Sequence, residues 1–211
     1  MNNMSSDPII CRAINCNTAK INLVQKGLRR LDEKVEHIFS DLCPVIIGKN
    51  AVGPDTSVVI GCDAVGSNES VVVGNNATSG GNSKNVVYGY MASADETCSV
   101  VVGHIAEATK SGGVAIGKDS LTSAINAIAI GRGSKSHGES SISLGYGSNA
   151  TGVSSIAIGE NAKANSDNSV AIGNSAGSKS QGTQSVAIGN LAGQHIQETG
   201  SVAIGNSAGC T

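Results

Sequence analysis

Two periods of apolar residues divide the chain. Between residues 18 and 42 apolar side chains recur every three or four positions. From Pro44 onward they alternate within a five-residue word that itself returns about every fourteen residues. The word is a small residue, a β-branched residue, a variable residue, an aliphatic residue and Gly, and it is cleanest as SIAIG at 155–159 and SVAIG at 169–173, 185–189 and 201–205. Its copies end on Gly48, Gly61, Gly74, Gly89, Gly103, Gly117, Gly131, Gly145, Gly159, Gly173, Gly189 and Gly205, spaced 13, 13, 15, then 14 and finally 16 residues apart. Val or Ile stands three residues before each Gly. Ile, Val or Leu stands one before it, except at Tyr88, and Ala or Ser stands three after it.

A short alternating run of β-branched residues predicts a strand, and a fixed period of this length predicts one solenoid coil per copy. The two apolar positions of each word share one strand face. That face is assigned to the roll core: Val58 and Ile60, Val114 and Ile116, Ile156 and Ile158, Val170 and Ile172, Val186 and Ile188, Val202 and Ile204. The Gly supplies the corner, because it reaches positive φ without steric cost. The small residue after it allows a second strand to cross a thin interior. Coils stacked at about 4.8 Å would form a rod roughly 55–60 Å long. The middle residue of the word points away from the assigned core. It is bulky in the first five copies (Ile46, Val59, Val72, Val87, Val101) and small in the rest, beginning with Ala115 and Ala129. The expectation is that Val59, Val72, Val87, Val101, Ala115 and Ala129 form an intersubunit face. The alternative is an outward apolar stripe that takes another protein.

Upstream, Ile21, Val24, Leu28, Leu31, Val35, Ile38 and Leu42 follow the 3,4 spacing of a heptad seam. Arg29, Arg30, Asp32, Glu33, Lys34 and Glu36 fill the outside. Mixed aliphatic residues with Ile at a d position suit a three-stranded coil; a single amphipathic helix is the alternative. Gly27 weakens an isolated helix by about 1 kcal/mol, which makes association more important. Pro44 ends the helical pattern. The expected organisation is therefore an arm over 1–17, an amphipathic helix or coiled coil over 18–43, and a roll over 44–211.

Composition agrees with a thin coil. The chain has 28 Gly, no Trp, and Phe39, Tyr88, Tyr90 and Tyr146 as its aromatics. A net charge of −2 with 14% charged residues gives no basic surface for nucleic acid. The six cysteines form no CxxC pair, so no zinc site is expected. Free thiols are favoured over disulfides. His37, His104, His137 and His195 are read as solvated surface residues, and GRGS at 131–134 and GYGS at 145–148 as coil corners, since no P-loop Lys follows. The recurring Ser before the strand, as at Ser155 and Ser169, is read as a turn residue bonding the backbone. No cofactor, metal or catalytic constellation is expected, and the chain is read as non-enzymatic.

The period is not the six residues of hexapeptide acyltransferase solenoids, and no Asp recurs as in calcium-binding nonapeptide rolls. The SVAIG word, its 14-residue period and the small residue behind it resemble the heads of trimeric autotransporter adhesins, the YadA-like head. The resemblance implies a mainly β fold, a left-handed parallel β-roll of about twelve coils, an obligate homotrimer and a role in surface attachment. The order here differs from those adhesins, because the coiled coil precedes the head. No export signal or membrane span is seen in the sequence. That arrangement suits a virion fibre or capsid-associated protein, made in the cytoplasm and joined through residues 1–43 to another virion protein. The alternative is the head of an exported bacterial adhesin. A host-surface ligand would meet the coil edges or the irregular loops at Thr78–Lys84, Ser178–Gln184 and Gln194–Gly200.

Overall fold

The computed structural model of the chain describes residues 24–31, 45–81 and 84–209. It divides into two units, Met1–Cys43 and Pro44–Thr211. In the first, residues 24–31 form a helix on which the seam residues Val24, Leu28 and Leu31 are all exposed. Ile21, Val35, Ile38, Leu42 and the arm lie outside the described residues.

The second unit is a parallel β-solenoid. Each five-residue word supplies a three-residue strand, from Val45–Ile47 to Val202–Ile204, and these twelve strands stack in chain order into one long sheet. Twelve strands separated by eleven steps give about eleven turns. Seven two-residue strands, from Thr78–Ser79 to Lys163–Ala164, form a second sheet across the coil. The register never slips: Val114 pairs with Ile128, Ala115 with Ala129 and Ile116 with Ile130. Every coil returns the chain to the same side before the next strand begins, so all pairings are parallel. The Val114 N–H donates to the Ala127 carbonyl at 2.9 Å, and the Gly117 N–H to the Val102 carbonyl at 2.8 Å. Thr78 and Ser79 belong to the second sheet, so the irregular loop expected from Thr78 begins only after Ser79.

The interior reverses the sequence assignment of the two strand faces. Val59, Val72, Val87, Val101, Ala115 and Ala129 are sealed inside their own coil at 0% exposure, so they cannot form an intersubunit face. Val58, Ile60, Val114, Ile116, Ile156, Ile158, Val170, Ile172, Val186 and Ile188 are half-buried on the outer surface, and Val202 and Ile204 are exposed there. They are not the roll core. The physical reason is width. The interior also receives the small residue after each Gly, as in Ala64, Ala106, Ser134 and Ala162, and the inward residue of the second sheet, as in Ala94, Ser136 and Ala164. Two sheets this close leave no room for two branched side chains per strand. Val is the largest apolar side chain fully buried in the roll, so the bulky pair points outward and the aromatics are excluded altogether.

The corners depend on Gly in two different ways. The Gly that ends each word has φ between +126° and +151°. At Gly131 an added Cβ would overlap the carbonyl of Gly145 in the next coil. Gly133, two residues on, has φ +66° and open space around it. Other coils place Asp119 and Asn161 at the same corner, with φ of 57° and 55°. The first position therefore requires Gly and the second only tolerates it.

Many interior hydroxyls are turned onto the backbone, whereas Ser155 Oγ and Thr122 Oγ1 are buried without a hydrogen-bond partner, so the turn-serine reading fails at Ser155. Ser57 Oγ donates to the Pro54 carbonyl at 2.8 Å, Ser141 Oγ to Gly138 at 2.6 Å and Ser185 Oγ to Gly182 at 2.6 Å, so these serines close the turn before the strand. The two 16-residue coils absorb their extra length with a buried glutamine. Gln181 Nε2 donates to the Val170 carbonyl at 2.7 Å, and Gln197 Nε2 to Val186 at 2.8 Å. Each amide reaches across the coil to a carbonyl of the long sheet. Between these coils the second sheet survives only as the Ser180–Ile196 bridge.

Candidate interaction surface

The outer faces of the two sheets differ in chemistry. The long sheet presents the two outward residues of each word, an aliphatic wall that carries no charged residue along twelve strands and is broken only by Tyr88. The second sheet presents Thr78, Ser93, Glu107, Leu121, Lys135, Asn149 and Lys163. Parallel sheets are as a rule covered on both faces. An uncovered apolar wall of this extent marks a binding surface. It is built by the residues assigned from sequence to the core, whereas the residues assigned to the subunit contact lie behind it.

A third surface runs along the coil corner. The residue after each corner Gly is displayed outward at one offset, so successive coils set these side chains side by side. Tyr90 stacks on His104 with ring centroids 5.3 Å apart and planes 22° apart. The Arg132 guanidinium lies 4.9 Å from the Tyr146 ring centroid and donates to its hydroxyl at 3.3 Å. Asn190 Nδ2 donates to Asn206 Oδ1 at 3.1 Å. The sequence reading of His104 as a solvated surface residue does not reveal this ridge. The signal was present in the shared offset from Gly.

Coil register also brings Ser123 against His137, fourteen residues on, with 2.6 Å between Oγ and Nδ1. His137 is half-buried, which corrects its reading as a solvated residue. Burial lowers its pKa, and the positive charge of Lys135 lowers it further. Among the described residues no carboxylate bonds this ring, and no cluster of three or more His, Cys, Asp or Glu side chains could hold a metal ion. Glu96 is held below the usual carboxylate range by hydrogen bonds from Lys110 Nζ at 3.0 Å and Ser111 Oγ at 2.8 Å. Cys62 and Cys98 are free, exposed thiols.

A parallel roll of short coils, with an apolar wall on one sheet and side-chain ladders at its corners, defines a β-roll head. Residues 123–148, 150–176 and 176–192 match the YadA head domain repeat. Together with the parallel solenoid, these matches fit a YadA-like β-roll head over residues 123–192. The matched segment covers coils with a small middle residue. The coils with Val59, Val72, Val87 and Val101 continue the same register below it, as the pairing of Val101 with Ala115 shows. No curated protein matches the chain.

Proposed function

We propose that the protein is a non-enzymatic, homotrimeric attachment component of a virus particle. In this reading residues 1–43 join it to another virion protein, and the roll is displayed at the surface. The observation that carries the trimer is the uncharged aliphatic wall. Sealing a half-exposed Val or Ile side chain contributes on the order of 1 kcal/mol, and the wall supplies two such positions per coil. A second and third copy offering the same wall match its chemistry and length. Val24, Leu28 and Leu31 exposed on the helix at heptad spacing support association of the same chains there. The heptad spacing of the apolar residues from Ile21 to Leu42, placed before the head in the sequence, supports the virion arrangement. The match to the adhesin-type repeat favours the second reading, a bacterial surface adhesin.

Light scattering on the full chain tests the assembly, with three times 21.0 kDa expected. Placing Lys at both Ile116 and Ile130 should give a 21.0 kDa species that keeps the β-sheet circular dichroism. A wild-type monomer, or a double variant that still forms trimers, contradicts the wall as the contact. Immunogold labelling of purified particles against cell envelopes separates the two locations.

A further inference from the structure

Two of the four aromatic residues, Tyr90 and Tyr146, lie on the corner ridge, and a third, Tyr88, ends the long-sheet strand just before it. They are 47%, 49% and 58% exposed. Aromatic rings have no place in this interior, and the fold gains little from displaying them in water. Between Tyr90 and Tyr146 the intervening coils supply His104, Lys118 and Arg132, all exposed. At about 4.8 Å per coil the five side chains form a ridge roughly 19 Å long. Its ends are Asn75 and Glu160 in the flanking coils. Asp119 Oδ2 lies 3.9 Å from Lys118 Nζ.

We infer that this ridge binds a short carboxylated oligosaccharide, which names a ligand class for the attachment role and rests on that reading. A ridge one residue wide cannot supply the roughly 800 Å² per partner of a stable protein interface. Two formal cations on a chain of net charge −2 do not suit a polyphosphate, whose binding rests on many neutralised charges. A sugar fits both features. The C–H groups of a pyranose pack against the solvent-exposed parts of the tyrosine rings that His104 and Arg132 leave uncovered, and its hydroxyls and carboxylate take hydrogen bonds from the residues between. Arg132, already held over Tyr146, presents a planar fork that grips a carboxylate through two parallel bonds. Lys118, one coil away, adds charge to the same group. The His104 ring against Tyr90 fixes the far platform. In a trimer three such ridges would raise avidity without a deep pocket.

The test uses the full chain, saturation-transfer NMR and titration calorimetry, with 3′-sialyllactose and a hyaluronan hexasaccharide as probes and lactose as the neutral control. At least one carboxylated probe should bind and lactose should not. Arg132→Gln and Tyr146→Leu should each weaken binding about tenfold or more, with circular dichroism and molar mass unchanged, since both side chains are exposed. Failure of both probes to bind, equal binding of lactose, binding unaffected by the two substitutions, or tighter binding of an oligothymidylate would each overturn the inference. Molar mass is read on the same sample. A trimer that ignores the saccharides leaves the attachment architecture standing without this ligand, whereas a monomer counts against the architecture itself.

Discussion

Two glycines separated by one residue allow the corner geometry to be tested without reference to assembly. In Gly131→Ala the new Cβ sits at φ +131° and overlaps the Gly145 carbonyl. Backbone strain of this kind costs about 1–3 kcal/mol. Relief requires the coils to separate at that corner, which loosens the bonds from the Gly145 N–H to Ile130 (2.8 Å) and from the Gly131 N–H to Ile116 (2.7 Å). Each bond contributes about 1 kcal/mol. The loss of unfolded-state freedom returns about 0.4–1 kcal/mol. The net expectation is destabilisation of about 2–4 kcal/mol by these terms. In Gly133→Ala the residue enters the αL well with open space around it, at about 1–2 kcal/mol before the same offset. A solenoid unfolds as neighbouring units, so the damage should concentrate in coils next to the substitution. Hydrogen exchange followed by NMR should show the Gly131 and Gly145 amides opening about a hundredfold faster in Gly131→Ala. In Gly133→Ala the acceleration should be at most about tenfold, by the same scale. Equal effects from the two substitutions, or a larger one from Gly133→Ala, would refute the argument that contact between coils fixes the first Gly.

Two further predictions concern the interior and the half-buried histidine. Gln181→Ala removes a buried amide that donates to the Val170 carbonyl and should cost about 1–3 kcal/mol in urea unfolding; a change within error would show that the 16-residue coils do not depend on it. His137 has a folded pKa below its unfolded value of about 6.5. The unfolded chain therefore binds the proton first, so stability is full above the unfolded value and declines as pH falls through the lowered folded value. Urea midpoints measured from pH 7.5 down to about pH 5 should show this loss in wild type and a shallower one in His137→Gln, and parallel profiles would remove His137 as its source.

The repeat length, the strand in each word, the Gly corners and the turn-closing serines were all legible in the sequence, because each depends on local backbone preference or on residues a few positions apart. The pairing of Val114 with Ile128, and of every other word with the next, follows from the constant period. The contacts of Tyr90 with His104 and of Ser123 with His137 obey the same register. They were missed because residues fourteen apart become neighbours only once the coils are stacked.

Alternation along a strand determines which side chains share a face, and here the sequence grouped Val58 with Ile60 and set Val59 apart correctly. It does not say which face is inside. Hydrophobicity pointed the branched pair inward, as it would in a wide sandwich. The distance between two short sheets decided otherwise: along the strand the space across the coil admits Ala, Ser, Thr and Val, and the larger aliphatic pair has to stand outside. Only the tertiary structure supplies that width. It turns an assigned core into an exposed wall and an assigned subunit contact into the true interior.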